Sequence, residues 1–158
     1  VEVEAETPPH YLRRLAIIVE LDKEGAHALA ARLKFSSTDR ERFSILCAPP
    51  KRPDAKADFK ENRAVLYHLG QDLFAELTLI GATYFPEQDW FRLMSLPEKT
   101  AVPKFAVSGQ DIIDMGVPAG RQIGNLLGQV ESWWIAGDFG ADRDACLKYL
   151  CSIVPTRS

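Results

Sequence analysis

The residues from Ser108 to Arg121 combine a helix cap, two turn-forming residues and a positive charge. Ser108 can cap a short helix and Gly116 can end it, because serine accepts from first-turn N–H groups and glycine adopts the left-handed conformation readily. Pro118 suits the first turn of a following helix, which should therefore start near it. The first N–H groups of that helix could bind an anion, and Arg121 would add charge beside them. We call residues 116–121 the elbow and interpret it as a candidate phosphate contact.

The helix that follows the elbow should present two different faces. Apolar residues at helical spacing predict a face packed on a core; they are Ile123, Leu127, Val130 and Trp134. Glycines at 120, 124 and 128 form a second stripe, although a glycine inside a helix costs about 1 kcal/mol relative to alanine. We favour close packing of another helix on this stripe, so that leucine at Gly124 would damage the fold. The alternative is close approach of a phosphate to the bare backbone.

Two adjacent tryptophans, Trp133 and Trp134, lie farther along the same helix. Neighbouring helical residues point about 100° apart, so Trp134 can join the core while Trp133 covers a neighbouring helix. The alternative is that one ring stacks on an exposed base, as aromatic side chains do in RNA-binding modules. We favour packing for both rings.

No group of residues has the spacing of a metal site or a catalytic centre. The single Asp-x-Asp sequence, Asp142-Arg143-Asp144, precedes an apolar run, so its aspartates are expected to cap a last helix and occupy its first turn. The cysteines and histidines are scattered and lack zinc-ligand spacing; they are Cys47, Cys146, Cys151, His10, His27 and His68. The sequence predicts no catalytic residue, no metal site and no cofactor in this chain.

Composition favours a compact chain without a membrane segment. The apolar share of 46% over 158 residues is ample for a core. There is no run of eighteen apolar residues and no basic segment followed by an apolar leader. We therefore expect no membrane partner, no secretory signal and a cytoplasmic location.

The charge is unevenly distributed along the chain. The formal net charge is -3, which argues against a nucleic-acid partner. Residues 32–63, however, hold nine basic and five acidic side chains, a local balance of +4. This segment is either a solvated face or a surface that follows a phosphate backbone. On the second interpretation, the candidate contacts are Arg40, Arg42, Lys51 and Arg52.

Apolar residues recur at helical spacing along the whole chain, and no strand pattern appears. The sequence predicts an all-α array of about eight or nine helices, with a C-terminal unit like a helix-hairpin-helix. Two predicted helices cover residues 58–69 and 71–82. Pro86 should open a shorter helix that Leu96-Pro97 closes, and residues 98–103 should connect a helical body, 1–97, to a tail unit, 104–158.

The tail carries a fairly specific family resemblance. It is similar to the C-terminal end of bacterial tRNA nucleotidyltransferases, the CCA-adding enzymes related to bacterial poly(A) polymerases. The family often has a second proline in the elbow, where this chain has Ala119-Gly120-Arg121. Segments 12–16, 30–36 and 66–79 resemble the helical body of the family more loosely. The resemblance in the tail rests on Phe105, Ser108-Gly109-Gln110-Asp111, Gly116-Val117-Pro118, Ile123-Gly124, Trp133-Trp134, Gly137 and Asp142-Arg143.

The resemblance implies a fragment that holds tRNA, or another RNA 3′ end, for an N-terminal catalytic head of the same polypeptide. The intact enzyme would add C, C and A from CTP and ATP with Mg²⁺, using a glycine-serine signature and paired carboxylates that this sequence lacks. The alternatives are the equivalent region of a poly(A) polymerase, a helical scaffold or dimerisation module, and a DNA-binding hairpin module of a repair protein. The candidate RNA contacts are Lys104, Gly116, Val117, Pro118, Gly120 and Arg121 at the elbow, with Arg40, Arg42, Lys51 and Arg52 as a second region.

Overall fold

The computed structural model describes residues 10–101 and 103–154. Within these ranges the chain forms nine helices and no strand, which confirms the prediction of an all-α array. The helices are α1 (Tyr11–Val19), α2 (Lys23–Arg32), α3 (Ser37–Cys47), α4 (Phe59–Tyr84), α5 (Phe91–Met94), α6 (Leu96–Lys99), α7 (Gly109–Asp114), α8 (Arg121–Ala136) and α9 (Arg143–Ile153).

The chain folds into two compact units, residues 1–102 and residues 103–158. The first unit contains α1 to α6, and two apolar clusters form its core. One cluster joins α1, α2, α3 and the second half of α4, and its largest members are Leu12, Phe43, Leu46, Leu77 and Ile80. The other joins α4 to the short helices α5 and α6 and includes Val65, Leu66, Phe74, Trp90, Leu93 and Leu96.

Short polar side chains start the helices of the first unit. Asp22 accepts a hydrogen bond from the N–H of Gly25 at 2.8 Å, and Asp58 accepts one from Glu61 at 2.7 Å. Ser36 caps α3 in the same way. Each bond satisfies a first-turn donor that has no partner inside the helix.

Helix α4 is interrupted at Gly70. This residue has φ of 75° and ψ of 168°, a left-handed extended conformation that breaks the helical backbone. Glycine adopts positive φ without a Cβ clash, so the change of direction costs little here. The two helices predicted for residues 58–69 and 71–82 are therefore confirmed as the two halves of α4.

The prolines after α4 do not act as predicted. The short helix α5 begins at Phe91 instead of Pro86, because residues 85–90 form turns in which Gln88 N–H donates to the Phe85 carbonyl at 3.1 Å. Leu96-Pro97 opens α6 instead of closing α5. Proline lacks an N–H and is compatible with either role, and the sequence alone did not distinguish them.

The second unit contains α7, α8 and α9. Ser108 and Asp111 form a capping box at the start of α7. Gly116 ends the turn after this helix with φ of 86°, and its N–H donates to the Ile113 carbonyl at 2.8 Å. The core of this unit consists of Val107, Ile112, Val117, Leu126, Val130, Trp134, Cys146 and Leu150.

The start of α8 differs from the prediction. The helix begins at Arg121, three residues after Pro118, because Gly120 is not helical, with φ of 156° and ψ of -169°. Its buried face is formed by Leu126, Val130 and Trp134. Ile123 and Leu127 are only half-buried, so the core face lies slightly to one side of the predicted stripe.

The expected close packing on the glycine stripe is wrong for the described residues. A Cβ built on Gly124 or on Gly128 meets no heavy atom within 4 Å. The leucine substitution at Gly124, expected above to overpack the fold, would therefore point into open space. The tightly packed glycine is Gly81 of α4, where a Cβ would lie under 3.0 Å from three ring carbons of Trp90.

Alanine substitutions at these glycines test the packing. We expect Gly81→Ala to lower the free energy of unfolding by about 1–3 kcal/mol, because the buried Trp90 ring is held by its indole N–H on the Phe85 carbonyl and cannot shift freely. Gly124→Ala is the matched control and should raise it by about 1 kcal/mol. Urea unfolding measures both. Equal stability of the two variants would contradict the Gly81–Trp90 contact.

Candidate nucleic-acid interface

The Asp111 carboxylate connects the start of α7 to the start of α9. Its Oδ2 accepts hydrogen bonds from the Ser108 backbone N–H at 2.8 Å and hydroxyl at 2.9 Å. Its Oδ1 lies 2.5 Å from Nη2 of Arg143, whose other terminal nitrogen donates to the Ala106 carbonyl. The Arg143 guanidinium and the two Ser108 donors lower the Asp111 pKa to about 2. Ser108 and Arg143, which flank the elbow in sequence, are thus joined by one charge-assisted hydrogen-bond network.

Residues of the elbow have different exposures. Val117 is buried at 6% exposure, so its side chain anchors the elbow in the core and only its backbone can face a partner. Gly116, Pro118, Gly120 and Arg121 are exposed. They are the positions at which a phosphate could approach.

The N-terminus of α8 lacks a side-chain cap. Helices α7 and α9 both have one, from the Ser108 capping box and from Asp142, which accepts from Ala145 N–H at 2.8 Å. At α8, Gly120 contributes only its carbonyl, which accepts from Ile123 N–H at 3.1 Å. The first-turn N–H groups that precede Ile123 are therefore left to solvent or to a partner.

Two predicted cations of the second unit are available for binding. Lys104 and Arg121 are both exposed, and neither has a hydrogen bond or ion pair with any residue that the structure describes. Arg121 follows Gly120 directly at the uncapped end of α8. Its guanidinium therefore lies on the helix end at which the dipole favours an anion.

The outer face of α8 forms a wide, open groove of about 850 Å³. Trp133 stacks on Tyr149 of α9, with ring centroids 4.5 Å apart and planes 11° apart, which confirms that Trp133 covers a neighbouring helix. Trp134 is buried in the core, as predicted. Arg121 lies on the same helical face as Asn125, Gly128 and Ser132, since these positions are three or four residues apart. The groove is lined by Gly124, Asn125, Gly128, Gln129, Ser132, Trp133 and Tyr149.

The second predicted region, in the first unit, contains both unpaired cations and cations that bind other residues of the chain. Arg40 and Lys51 are exposed and have no polar partner among the described residues. Arg52 donates to the Cys47 carbonyl at 2.9 Å, which ties the loop after α3 to the end of that helix. Arg42 is engaged with Glu76, where its Nε donates to Oε2 at 3.0 Å. Arg42 therefore has a structural role that its sequence position did not reveal.

Glu76 is a buried carboxylate that joins three helices of the first unit. Arg13 of α1 approaches its Oε1 at 3.6 Å, and Arg42 of α3 binds its Oε2. His10 lies 4.0 Å from the same Oε1. Glu76 and Arg13 are 8% and 3% exposed in their side chains, so each neutralises a charge that would otherwise be costly to bury. No sequence signal pairs these residues, because Arg42 and Glu76 are 34 positions apart.

The described residues hold no group of three histidine, cysteine, aspartate or glutamate side chains that could bind a metal ion. None of the helices in residues 10–101 and 103–154 is long and apolar enough to span a bilayer.

Comparison with known proteins gives a partial match. Over 58 residues, 37% of the chain, it is 34% identical to mitochondrial CCA tRNA nucleotidyltransferase 1 of Mus musculus and 33% identical to that of Homo sapiens. The matched segment spans 13% of the length of each relative. No family profile and no solved structure matches the chain. The matches support a relationship of this chain to CCA-adding tRNA nucleotidyltransferases.

The Asp111–Arg143 pair predicts an acid-dependent stability. The carboxylate titrates near pH 2 in the folded chain, against about 3.9 in the unfolded chain, so the unfolded chain binds more protons between these values. The stabilisation should be complete above about pH 4 and lost as the pH falls through about 2. We expect Asp111→Asn to lower the melting temperature at neutral pH, with a difference from the native chain that shrinks in this window.

Asp114→Asn is the control for this experiment, because Asp114 lies on the same helix and bonds only Gln110 among the described residues. Its effect on the melting temperature should be small and nearly constant with pH. An Asp111→Asn chain that melts like the native chain at every pH would show that the pair does not stabilise the fold.

The buried Glu76 carboxylate predicts a large effect of an isosteric change. Glu76→Gln would remove the negative charge that faces the buried Arg13 and the half-buried Arg42, and we expect a loss of about 3–5 kcal/mol in the free energy of unfolding of the first unit. Glu98→Gln, on the exposed face of α6, should change it by less than about 0.5 kcal/mol. Urea unfolding compares the two. Equal effects would contradict the charge network.

Proposed function

We propose that this chain is the tRNA-binding C-terminal region of a CCA-adding tRNA nucleotidyltransferase. In this proposal it holds the acceptor end of tRNA for a catalytic head that precedes it in the same polypeptide. The observation that carries the proposal is the 58-residue similarity to two mitochondrial CCA tRNA nucleotidyltransferases. The transfer of C, C and A from CTP and ATP with Mg²⁺ is assigned to the head, and the holding of tRNA to this chain.

The geometry of α8 supports contact with a phosphate backbone. The helix begins without a side-chain cap, and the unpaired Arg121 stands at that end. Farther along the same face, Gly124 and Gly128 leave the backbone open. Each glycine lowers the stability of the helix by about 1 kcal/mol relative to alanine. Neither is needed for packing among the described residues, so the packing of the chain does not explain them. Access for a bulky partner such as RNA supplies a reason for them.

The same open glycines also favour a second candidate function, a helical scaffold or dimerisation module. Small residues four positions apart would let a helix of a partner approach closely. The two functions differ in their response to salt, because binding to RNA releases counter-ions and weakens steeply as salt increases. A protein interface on the groove of α8 has few charges to screen.

Salt-titrated binding of tRNA to the chain tests the proposal. We expect tRNA affinity to fall linearly with salt on a double logarithmic plot. Arg121→Ala should lower the magnitude of the slope by about one, because it removes one phosphate contact, and should leave thermal stability unchanged. Lys148→Ala, an exposed cation of α9 outside the proposed contacts, is the matched control and should leave the slope as it is.

Each of the following outcomes would contradict part of this proposal. If Arg121→Ala leaves the salt dependence of tRNA affinity unchanged, the elbow has only a structural role. Arg40 and Lys51 are then the better candidate contacts. Competition by poly(A) equal to that of tRNA would favour the poly(A) polymerase alternative, and competition by duplex DNA would favour a DNA-binding hairpin module. Binding of tRNA that does not respond to salt, or no binding at all, would overturn an RNA-holding function.

A further inference from the structure

A pocket of about 470 Å³ lies in the first unit where three helices end. Its volume falls within the range of small-molecule sites, roughly 300–1,000 Å³. The floor is apolar, and Tyr84 and Phe85 provide aromatic walls. The Tyr84 hydroxyl donates to the Ile17 carbonyl at 2.9 Å, which fixes that wall. The pocket is lined by Ala16, Glu20, Leu46, Cys47, Arg52, Ile80, Tyr84 and Phe85.

Two opposite charges line this pocket without neutralising each other. Arg52 uses one terminal nitrogen on the Cys47 carbonyl, and its remaining N–H groups have no other partner among the described residues. Glu20 has no hydrogen bond or ion pair with any residue that the structure describes. The pocket therefore offers a forked donor and a two-oxygen acceptor to one ligand.

The partial negative charges at the C-terminal ends of three helices determine which part of a nucleotide the pocket can bind. Helices α1, α3 and α4 end at Val19, Cys47 and Tyr84, so three partial negative charges converge there. A phosphate would be repelled by these ends and by Glu20. An uncharged, flat ring with several N–H donors would be attracted to the carboxylate and could stack on an aromatic side chain of the lining.

Guanine is the base with the best-matched edges. Its O6 and N7 are adjacent acceptors for an arginine fork, and its N1–H and N2–H₂ are adjacent donors for a carboxylate. We propose that this pocket binds the guanine of an unpaired nucleotide in RNA, with Arg52 and Glu20 on the two edges of the base. This inference rests on the proposed function for its source of guanine.

The surroundings favour guanine within an RNA strand over a free nucleotide. Lys51 precedes Arg52, is exposed and has no polar partner among the described residues. It can meet a backbone phosphate outside the pocket while the base is inside. Recognition of RNA in this way, by stacking an unpaired base and bonding its edges, is common in RNA-binding modules.

Cys47 provides a reporter inside the pocket. Burial raises the pKa of its thiol to about 11, with Arg52 opposing the shift, so alkylation by iodoacetamide is slow and its rate can be followed by mass spectrometry. A ligand in the pocket should slow it further. Cys151 is exposed on α9, and its alkylation in the same sample is the internal control.

The test uses the RNA pentanucleotides UUGUU and UUAUU on the whole chain. We expect UUGUU to protect Cys47 but not Cys151, and to bind about tenfold more tightly than UUAUU, the value of one well-placed bidentate contact. Glu20→Gln and Arg52→Gln should each abolish this preference. Glu24→Gln, an exposed carboxylate on α2, should keep it.

Equal protection by the two pentanucleotides, or none, would overturn the proposal. Protection by guanosine monophosphate at the same concentration as UUGUU would overturn the assignment to RNA and leave a free-nucleotide site. The tRNA measurement described above separates this inference from the proposed function. Salt-dependent tRNA binding without protection of Cys47 defeats only the guanine pocket, and protection without tRNA binding defeats only the proposed function.

Discussion

The Asp111 carboxylate is the constraint on which the second unit depends. One of its oxygens closes the capping box with Ser108, and the other binds Arg143 at the first residue of α9. These contacts fix the starts of the first and last helices of a three-helix unit, and α8 must pass between them. The position of the elbow follows from that restriction, because Val117 is held in the core while its neighbours remain exposed. The Asp111 contacts and the buried Val117 side chain together position the elbow before α8.

The sequence predicted well what is local. The caps at Ser108 and Asp142 were foreseeable, because a capping side chain accepts from a backbone N–H only three residues farther along. The roles of Pro97 and Pro118 were not, since proline fits both the end of one helix and the beginning of another. The break at Gly70 was recoverable from periodicity on either side, even though its backbone angles were not.

The candidate sites depend on contacts that sequence spacing does not encode. Arg42 was a candidate phosphate contact, and the structure places it on Glu76, a partner on another helix. The glycine stripe of α8 was foreseeable, but whether it is covered depends on which elements lie near it. The pocket that contains Arg52 and Glu20 is formed by three helix ends, and only the fold brings them together.

The formal charge of -3 is a poor guide to the surface of this chain. Several acidic groups are engaged in contacts within the chain. Asp22, Asp58 and Asp142 cap helices, where the dipole offsets their charge, while Asp111 and Glu76 bind guanidinium groups. Several cations are instead exposed and have no polar partner among the described residues, and they include Arg40, Lys51, Lys104 and Arg121. An approaching polyanion comes closest to the exposed cations. The charge of carboxylates that already bind helix ends or guanidinium groups is partly offset by those partners and screened by salt. A chain of negative formal charge can therefore still present positive contacts to a phosphate backbone.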